Sequence, residues 1–222
     1  MIAVGREADV FDAGAGRVLR RYRNRPVLEN EVIAMRWARG HGYPTPELFD
    51  VDGSEMLLER VRGESMLRDL GARPWRWRAY ADLLADLHQQ LHAIPPPPGL
   101  ETGFGAGDSL LHLDLHPENV IIGAGGVSVI DWAGACRGRA AVDLTNTWVT
   151  MATSEIPGGV VLRGIAGLMR RAFVARFLSH FDQDVLVEEI STVAQHRASD
   201  RNVTDAERVR ISRMVVELRD QR

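Results

Sequence analysis

The chemistry-bearing residues of this 222-residue chain gather in His112-Leu113-Asp114-Leu115-His116-Pro117-Glu118-Asn119, followed by Asp131 in Val129-Ile130-Asp131-Trp132. Between Asn119 and Asp131 run Val120-Ile121-Ile122, Gly123-Ala124-Gly125-Gly126 and Val127-Ser128-Val129-Ile130. Two β-branched runs joined by a glycine turn predict a hairpin. With the turn centred on Gly125, Asn119 and Asp131 are equidistant from it and stand opposite each other at the open end. An amide oxygen and a carboxylate then face one point. That donor set suits magnesium, whose other positions are filled by phosphate oxygens and water. Asp114 lies in the loop that enters the hairpin, beside the metal arm but not part of it. A carboxylate there can take the proton of a hydroxyl and orient its oxygen toward a phosphoryl group.

Two other readings of the stretch compete. His112, Asp114 and His116 alternate and could form a metal cluster on one strand face, but no matching second cluster exists and Pro117 ends the run. Alternatively, Asp114 and Asp131 are ordinary turn residues. For His112 and His116 the preferred role is to brace the loop by hydrogen bonds, not to act as acid or base.

His-x-Asp-x-x-x-x-Asn over residues 112–119, followed by Ile130-Asp131-Trp132, resembles the aminoglycoside phosphotransferase and choline kinase family. These are relatives of the protein kinases that carry Ile-Asp where those carry Asp-Phe-Gly. The resemblance continues through Gly138-Arg139-Ala140-Ala141-Val142-Asp143-Leu144, similar to the family segment whose aspartate braces the catalytic loop, and reaches upstream to residue 5. It implies an α+β, bilobal, protein-kinase-like fold. Residues 1–62 would form a nucleotide-binding N-terminal lobe, a small antiparallel sheet with one helix; residues 63–222 would form a mainly helical lobe for catalysis and acceptor binding. It further implies transfer of the γ-phosphoryl group of ATP or GTP to a hydroxyl of a small molecule such as an aminoglycoside, sugar or amino alcohol. Asp114 would be the catalytic base, and Asn119 and Asp131 would bind magnesium.

The elements upstream must position that site. Val4 to Phe11, Asp12 to Gly16 and Arg17 to Tyr22 read as loop, strand, turn and strand. Gly5 is the candidate phosphate contact, although a full Gly-x-Gly-x-x-Gly is absent. Where the family has lysine in a Val-Leu-Lys-x-Tyr pattern, this chain has Val18-Leu19-Arg20-Arg21-Tyr22, so Arg20 takes the phosphate-holding place. Guanidinium keeps the charge but is bulkier and planar, so the exchange is not conservative. Pro26 is expected to open a helix with Leu28, Val32, Met35 and Ala38 on one face, ended by Gly40-His41-Gly42. It carries Glu29 and Glu31, and family spacing selects Glu31 as the partner of Arg20. Leu48 to Val51 and Met56 to Val61 flank Asp52-Gly53-Ser54 as a second hairpin. Its far strand resembles the segment leading into the family's hinge, where backbone groups meet the adenine, so Glu59 and Val61 are nucleotide-binding candidates.

Downstream, Pro74 to His92 predicts a long helix with Tyr80, Leu84, Leu87 and Leu91 as its stripe and Leu83 widening it. His88 and His92 share a face of this helix and could hold a metal, but packing or capping under the catalytic loop is the preferred reading. Gly99 to Ser109 reads as a surface connection. Asp143 is expected to cap a helix running through Trp148 and Met151 while reaching the catalytic loop. Further helices are predicted over 160–181 and 184–198, and Thr204-Asp205-Ala206-Glu207 is a capping box that opens a last one.

Composition narrows the class. The 45% apolar and 26% charged residues are ordinary for a globular protein, and a net charge of −3 gives no reason to expect nucleic acid or an anionic membrane. One cysteine, Cys136, excludes an internal disulfide. No secretory h-region and no apolar run of membrane-spanning length occurs. A cytoplasmic enzyme is the expectation, with a nucleoside triphosphate and a small hydroxylated acceptor as partners, neither nucleic acid nor membrane, and an oligomeric state the sequence leaves open. All 27 basic residues are arginine, so no single arginine stands out as a special choice. The last forty residues mix Asp and Glu with seven arginines, which favours a neutral or modest acceptor over a polycation. The arginine at position 20 leaves room for a second reading, a nucleotide-binding pseudokinase with little or no turnover. A protein kinase comes third, because no Ala-Pro-Glu segment follows Asp131.

Overall fold

Strand alternation arranges the first third of the chain. In the computed structural model, which describes residues 1–5, 7–155, 159–200 and 203–220, five strands form an antiparallel sheet. They are β1 (Ala3–Val4), β2 (Ala8–Gly14), β3 (Arg17–Tyr22), β4 (Leu48–Asp52) and β5 (Glu55–Glu59), in the order β1-β2-β3-β5-β4. Arg6, in the predicted phosphate-covering loop, lies outside the described residues. Side chains two apart on a strand share a face, so Val18, Arg20 and Tyr22 of β3 line up beside Leu58 and Met56 of β5. Val18, Tyr22, Met56 and Leu58 are buried. The same core holds Ala34, Met35 and Ala38 of α1 (Glu29–Gly40). Arg20 is thereby carried to the helix-covered side of the sheet.

That helix begins three residues later than Pro26 suggested. Val27 donates its N–H to Gly53 O at 2.9 Å, which keeps the segment before Leu28 extended against the β4–β5 turn. Tyr43 to Pro46 is an irregular connector.

After β5 the chain crosses the predicted hairpin. β6 (Glu64–Ser65) pairs with β9 (Val120–Gly123), which pairs with β10 (Gly126–Val129). Here the two backbones touch, and each crossing point is a glycine. A Cβ on Gly63 would stand 2.3 Å from Ile122 O, and one on Gly123 would stand 2.0 Å from Arg62 O. Ser65 then caps α2 (Met66–Ala72) by accepting from Arg68 N.

The remainder is mainly helical. The predicted 74–92 helix divides into a 3-10 turn, Pro74–Arg76, and α3 (Trp77–His92), whose Tyr80, Leu84, Leu87 and Leu91 are buried. The expected surface connection at 99–109 instead contributes β7 (Thr102–Phe104) and β8 (Ser109–Leu111), flanking β11 (Cys136–Gly138). Three-residue strands paired to a distant segment leave no alternation to read in the sequence. α4 (Ala140–Thr153), α5 (Val160–Leu178), α6 (Gln183–Ser199) and α7 (Asp205–Asp220) complete the chain. The capping box is present as predicted: Glu207 N donates to Thr204 Oγ1 at 3.2 Å and Thr204 N to Glu207 Oε2 at 3.0 Å. Among the described residues no helix is long and apolar enough to cross a membrane.

Because the atom opposing Gly123 is backbone, a side chain there cannot be accommodated by a rotamer change. Gly123→Ala is expected to lower stability by about 1–3 kcal/mol, as overpacking does. Gly125→Ala, whose Cβ meets open space, should stay within about 0.5 kcal/mol. Denaturant midpoints of the two variants check this.

Candidate active site

The loop over residues 112–119 is pinned from both sides of its own sequence. Leu113 enters the apolar cluster formed with Val142, Val149, Ile190 and Val193, while Leu115 enters the main core. Asp114, between them, is left facing outward with 42% of its side chain exposed. Leu113 has φ of 60°, a left-handed conformation that costs a non-glycine residue about 1–3 kcal/mol. Its N–H donates to Asp143 Oδ1 at 2.7 Å, and its carbonyl accepts from Asn146 Nδ2. Both holders come from the first two turns of α4, so the helix imposes the strained turn.

Asp143 is not the N-cap of α4. Arg139 occupies that position, and Asp143 lies inside the first turn with no exposed surface. Its carboxylate turns to the loop because Oδ2 also accepts from His112 N at 3.2 Å and from His92 Nε2 at 2.9 Å. Burial works against its charge, but the His92 hydrogen bond and the surrounding imidazoles outweigh it and hold the carboxyl well below the usual range. His88 Nε2 lies 3.2 Å from Leu115 O, which also accepts from Thr147 Oγ1 at 2.9 Å. His88, His92 and Asp143 present ligand atoms within 4.8 Å of one another. Their hydrogen bonds make them a brace under the loop.

The two loop histidines also hold it. Asp114 N donates to His112 Nδ1 at 3.2 Å, so the His112 proton sits on Nε2 and is donated to Ile130 O at 3.2 Å. Glu118 N donates to His116 Nδ1, which leaves His116 Nε2–H to donate to Asp114 Oδ1 at 3.2 Å. Asn119 Nδ2 donates to Asp114 Oδ2 and to Asp114 O, both at 2.9 Å. The Asp114 carboxyl is thus oriented at both oxygens. Burial tends to raise it, but the His116 hydrogen bond and the nearby positive charge prevail and keep it below the ordinary carboxylate range.

The hairpin register differs by half a step from the expectation. Its turn is the two-residue Ala124-Gly125, with Gly126 paired to Gly123 and Val129 to Val120. Ile130, not Asp131, therefore stands opposite Asn119, and its N–H donates to Asn119 O at 2.9 Å. Asp131 follows with φ of 68°, a second left-handed residue that redirects the chain. Its Oδ1 accepts from Arg20 Nη2 at 2.7 Å. Asn119 Nδ2 is committed to two oxygens of Asp114, which leaves Oδ1 as the free acceptor of the amide. Asp131 and Asn119 therefore offer hard oxygen donors of the kind magnesium takes.

Arg20 bridges the sheet and the hairpin. Nη1 donates to Glu31 Oε1 at 3.2 Å, and Tyr22 OH, two residues along β3, also donates to Glu31, at 2.7 Å to Oε2. Burial disfavours the Arg20 charge, yet the Asp131 and Glu31 carboxylates and Tyr22 raise its pKa above the ordinary range. For Glu31, fully buried, desolvation prevails and the carboxyl is raised.

Arg20, Glu31 and Asp131 are brought together, as are Asp114 and Asn119. Among the described residues no hydrogen bond or ion pair joins Gly5, Glu59 or Val61 to either group. Gly5 makes a tight turn, its N–H donating to Ala8 O at 2.8 Å. The Glu59 carboxylate turns to Arg39 and Glu47 N, and Val61 lies half-buried in the irregular segment before β6. Tyr22 and Asn146 carry no motif signal. Tyr22 has only its place two residues after Arg20, and Asn146 only its place one turn after Asp143.

A sequence model described as the phosphotransferase enzyme family, APH, matches residues 2–108 and 106–173. No curated protein matches the sequence. Among solved structures, the chain resembles a choline/ethanolamine kinase family protein from Mesorhizobium loti, 16% identical over 98% of this chain and 85% of that one, with a TM-score of 0.57. It resembles an ethanolamine kinase from Plasmodium vivax, 13% identical over 97% and 84%, with a TM-score of 0.58. It also resembles an ADP-bound aminoglycoside phosphotransferase, 11% identical over 98% and 90%, with a TM-score of 0.59. The fold these share is α+β, bilobal and protein-kinase-like.

The brace under the loop should respond to pH. Burial pushes the His88 imidazole down to about 3, whereas the unfolded chain takes up that proton near pH ~6.5. The unfolded state binds more protons between those values, so stability falls as the pH drops through that window. His88→Gln, which cannot take the proton, should lose less melting temperature than wild type between about pH 7 and about pH 5. Thermal melts of both proteins across that range measure the difference in slope.

Proposed function

The chain belongs to the phosphotransferase enzyme family, and from that premise we propose that it transfers the γ-phosphoryl group of ATP or GTP to a hydroxyl of a small molecule. The observation that carries this reading is the Asp114 carboxyl, oriented at both oxygens by His116 and Asn119 yet open to an acceptor. In this reading residues 1–62 bind the nucleotide and residues 63–222 supply catalysis and the acceptor site. Phosphoryl transfer asks little covalent chemistry of the protein, so position and charge carry the rate.

Asp114 receives the acceptor hydroxyl as a hydrogen-bond donor and aims its oxygen at the γ-phosphorus. As the new P–O bond forms and the bond to the leaving diphosphate oxygen breaks, the hydroxyl proton passes to Asp114. Its lowered pKa keeps it ionised and able to accept. Arg20, oriented by Glu31 and Tyr22, holds the nucleotide phosphates. Gly5 covers them, and the backbone from Glu59 to Val61 meets the base. The oxygens of Asp131 and Asn119 fit magnesium, which when bound neutralises charge on the phosphates.

One observation favours a second reading, a nucleotide-binding pseudokinase. Arg20 stands where the family carries lysine, and its guanidinium occupies an oxygen of Asp131 that a metal would use. Turnover separates the two.

Wild type is expected to release nucleoside diphosphate only in the presence of an acceptor alcohol. Asp114→Ala should lower that turnover by about 10²–10⁴ while nucleotide binding, followed by calorimetry, changes little. Full turnover in the variant would overturn the role given to Asp114. Magnesium-dependent nucleotide binding without turnover on aminoglycosides, sugars, amino alcohols or hydroxy acids would favour the pseudokinase.

A further inference from the structure

Arg20 spans two carboxylates whose surroundings differ. Nη1 donates to Glu31 Oε1 at 3.2 Å and Nη2 to Asp131 Oδ1 at 2.7 Å. The Glu31 end is anchored: that carboxylate is fully buried and also accepts from Tyr22 OH, at 2.9 Å on Oε1 and 2.7 Å on Oε2. The buried Tyr22 ring lies 4.8 Å from Arg20 Cζ, within the range of a cation–π contact. The Asp131 end is more open, with 41% of that side chain exposed against 17% for Arg20. Of the two arms, the one on Asp131 is therefore the one a dissolved anion reaches. Arg25 offers a comparison: its Cζ lies 3.8 Å from the same ring, but its guanidinium pairs with Glu7.

The contact gives Asp131 Oδ1 a cation of the protein's own. A divalent ion arriving at that oxygen meets an N–H and a like charge. Phosphate competes for the same N–H, since the guanidinium fork matches phosphate oxygens as well as carboxylate. Partly exposed ion pairs contribute little net free energy, so such a competitor suffices to open this one. Once phosphate takes Nη2, both oxygens of Asp131 are left for a metal. A lysine ammonium is a compact point charge, with no second arm to keep Glu31 while the first is exchanged.

We propose that Arg20 gates the Asp131 carboxylate: its guanidinium bars a divalent cation from Asp131 until nucleotide phosphates draw Nη2 away, while Nη1 stays on Glu31. Cation and nucleotide then bind with positive coupling, and the coupling is reciprocal by linkage. This deepens the kinase reading above and rests on it for the phosphates at Arg20. It also gives the arginine in a lysine's place a use of its own.

The test pairs two titrations of the full chain: manganese without nucleotide, read by electron paramagnetic resonance, and a non-hydrolysable ATP analogue in EDTA, read by calorimetry. Without nucleotide, Arg20→Met should bind manganese at least about tenfold more tightly than wild type, and adding Asp131→Asn should erase the gain. Arg25→Met removes an equal charge from beside the same ring and should change manganese binding by less than about twofold. Arg20→Lys keeps a cation beside the buried Glu31, so it serves if Arg20→Met does not fold, and it should show part of the gain. Without metal, Asp131→Asn frees the guanidinium for phosphate. It should tighten the analogue at least about threefold more when Arg20 is present than in the Arg20→Met background. Manganese binding that both Arg20 variants leave unchanged, that Arg25→Met raises equally, or that gains without Asp131 would overturn the proposal. So would an equal effect of Asp131→Asn with and without Arg20. Failure of the analogue to bind would count against the kinase reading alone, and the manganese titrations would still decide whether Arg20 bars the cation.

Discussion

The Asp143 carboxylate sits where no water reaches it, and it accepts from the backbone of His112 and Leu113 and from the ring of His92. A buried charge is tolerated only when hydrogen bonds replace its hydration. Here the replacements are the very groups that fix the loop over residues 112–119. Leu113 adopts a left-handed backbone that it would not choose alone, and Asp143 and Asn146 hold its N–H and its carbonyl. The result is that Leu113 and Leu115 both point into apolar cores and Asp114 between them points out. The exposure of Asp114 is thus set by a helix that holds its neighbours.

A second tie joins the sheet to the hairpin. Arg20 reaches Glu31 with one guanidinium nitrogen and Asp131 with the other. A planar fork can serve two carboxylates arriving from different elements, whereas an ammonium is a compact point charge. The same two regions are joined again at the glycine crossing, where residues 62–63 pass against residues 122–123 at backbone distance. One contact is electrostatic and the other is steric. Together they set where Arg20 stands relative to the loop.

Much of this was legible because it rests on local rules. The family-like pattern Val18-Leu19-Arg20-Arg21-Tyr22 marked Arg20, and the stripe Tyr80, Leu84, Leu87 and Leu91 marked α3. The Thr204–Glu207 capping box is complete within four residues and formed as written. Where local signals were weak the expectations moved. The short strands β7 and β8 exist only through pairing with β11, and the start of α1 was set by a hydrogen bond to Gly53, far along the chain. The hairpin turn proved to hold two residues, which put Ile130 opposite Asn119.

The sequence by itself determined the chemical inventory: one carboxylate in a loop, two oxygen-bearing side chains around a hairpin, one cation on a strand, and the family resemblance these spell. It did so because motif residues adjacent in the chain obey short-range geometry. Only the tertiary structure decided which side chains serve them. Tyr22 on Glu31 and Asn146 on Leu113 are meetings of separate segments. In a chain with 27 arginines and no lysine, residue type could not rank the cations. Burial and ion-pair partners single out Arg20, which meets Glu31 and Asp131, because both depend on how helix, sheet and hairpin pack.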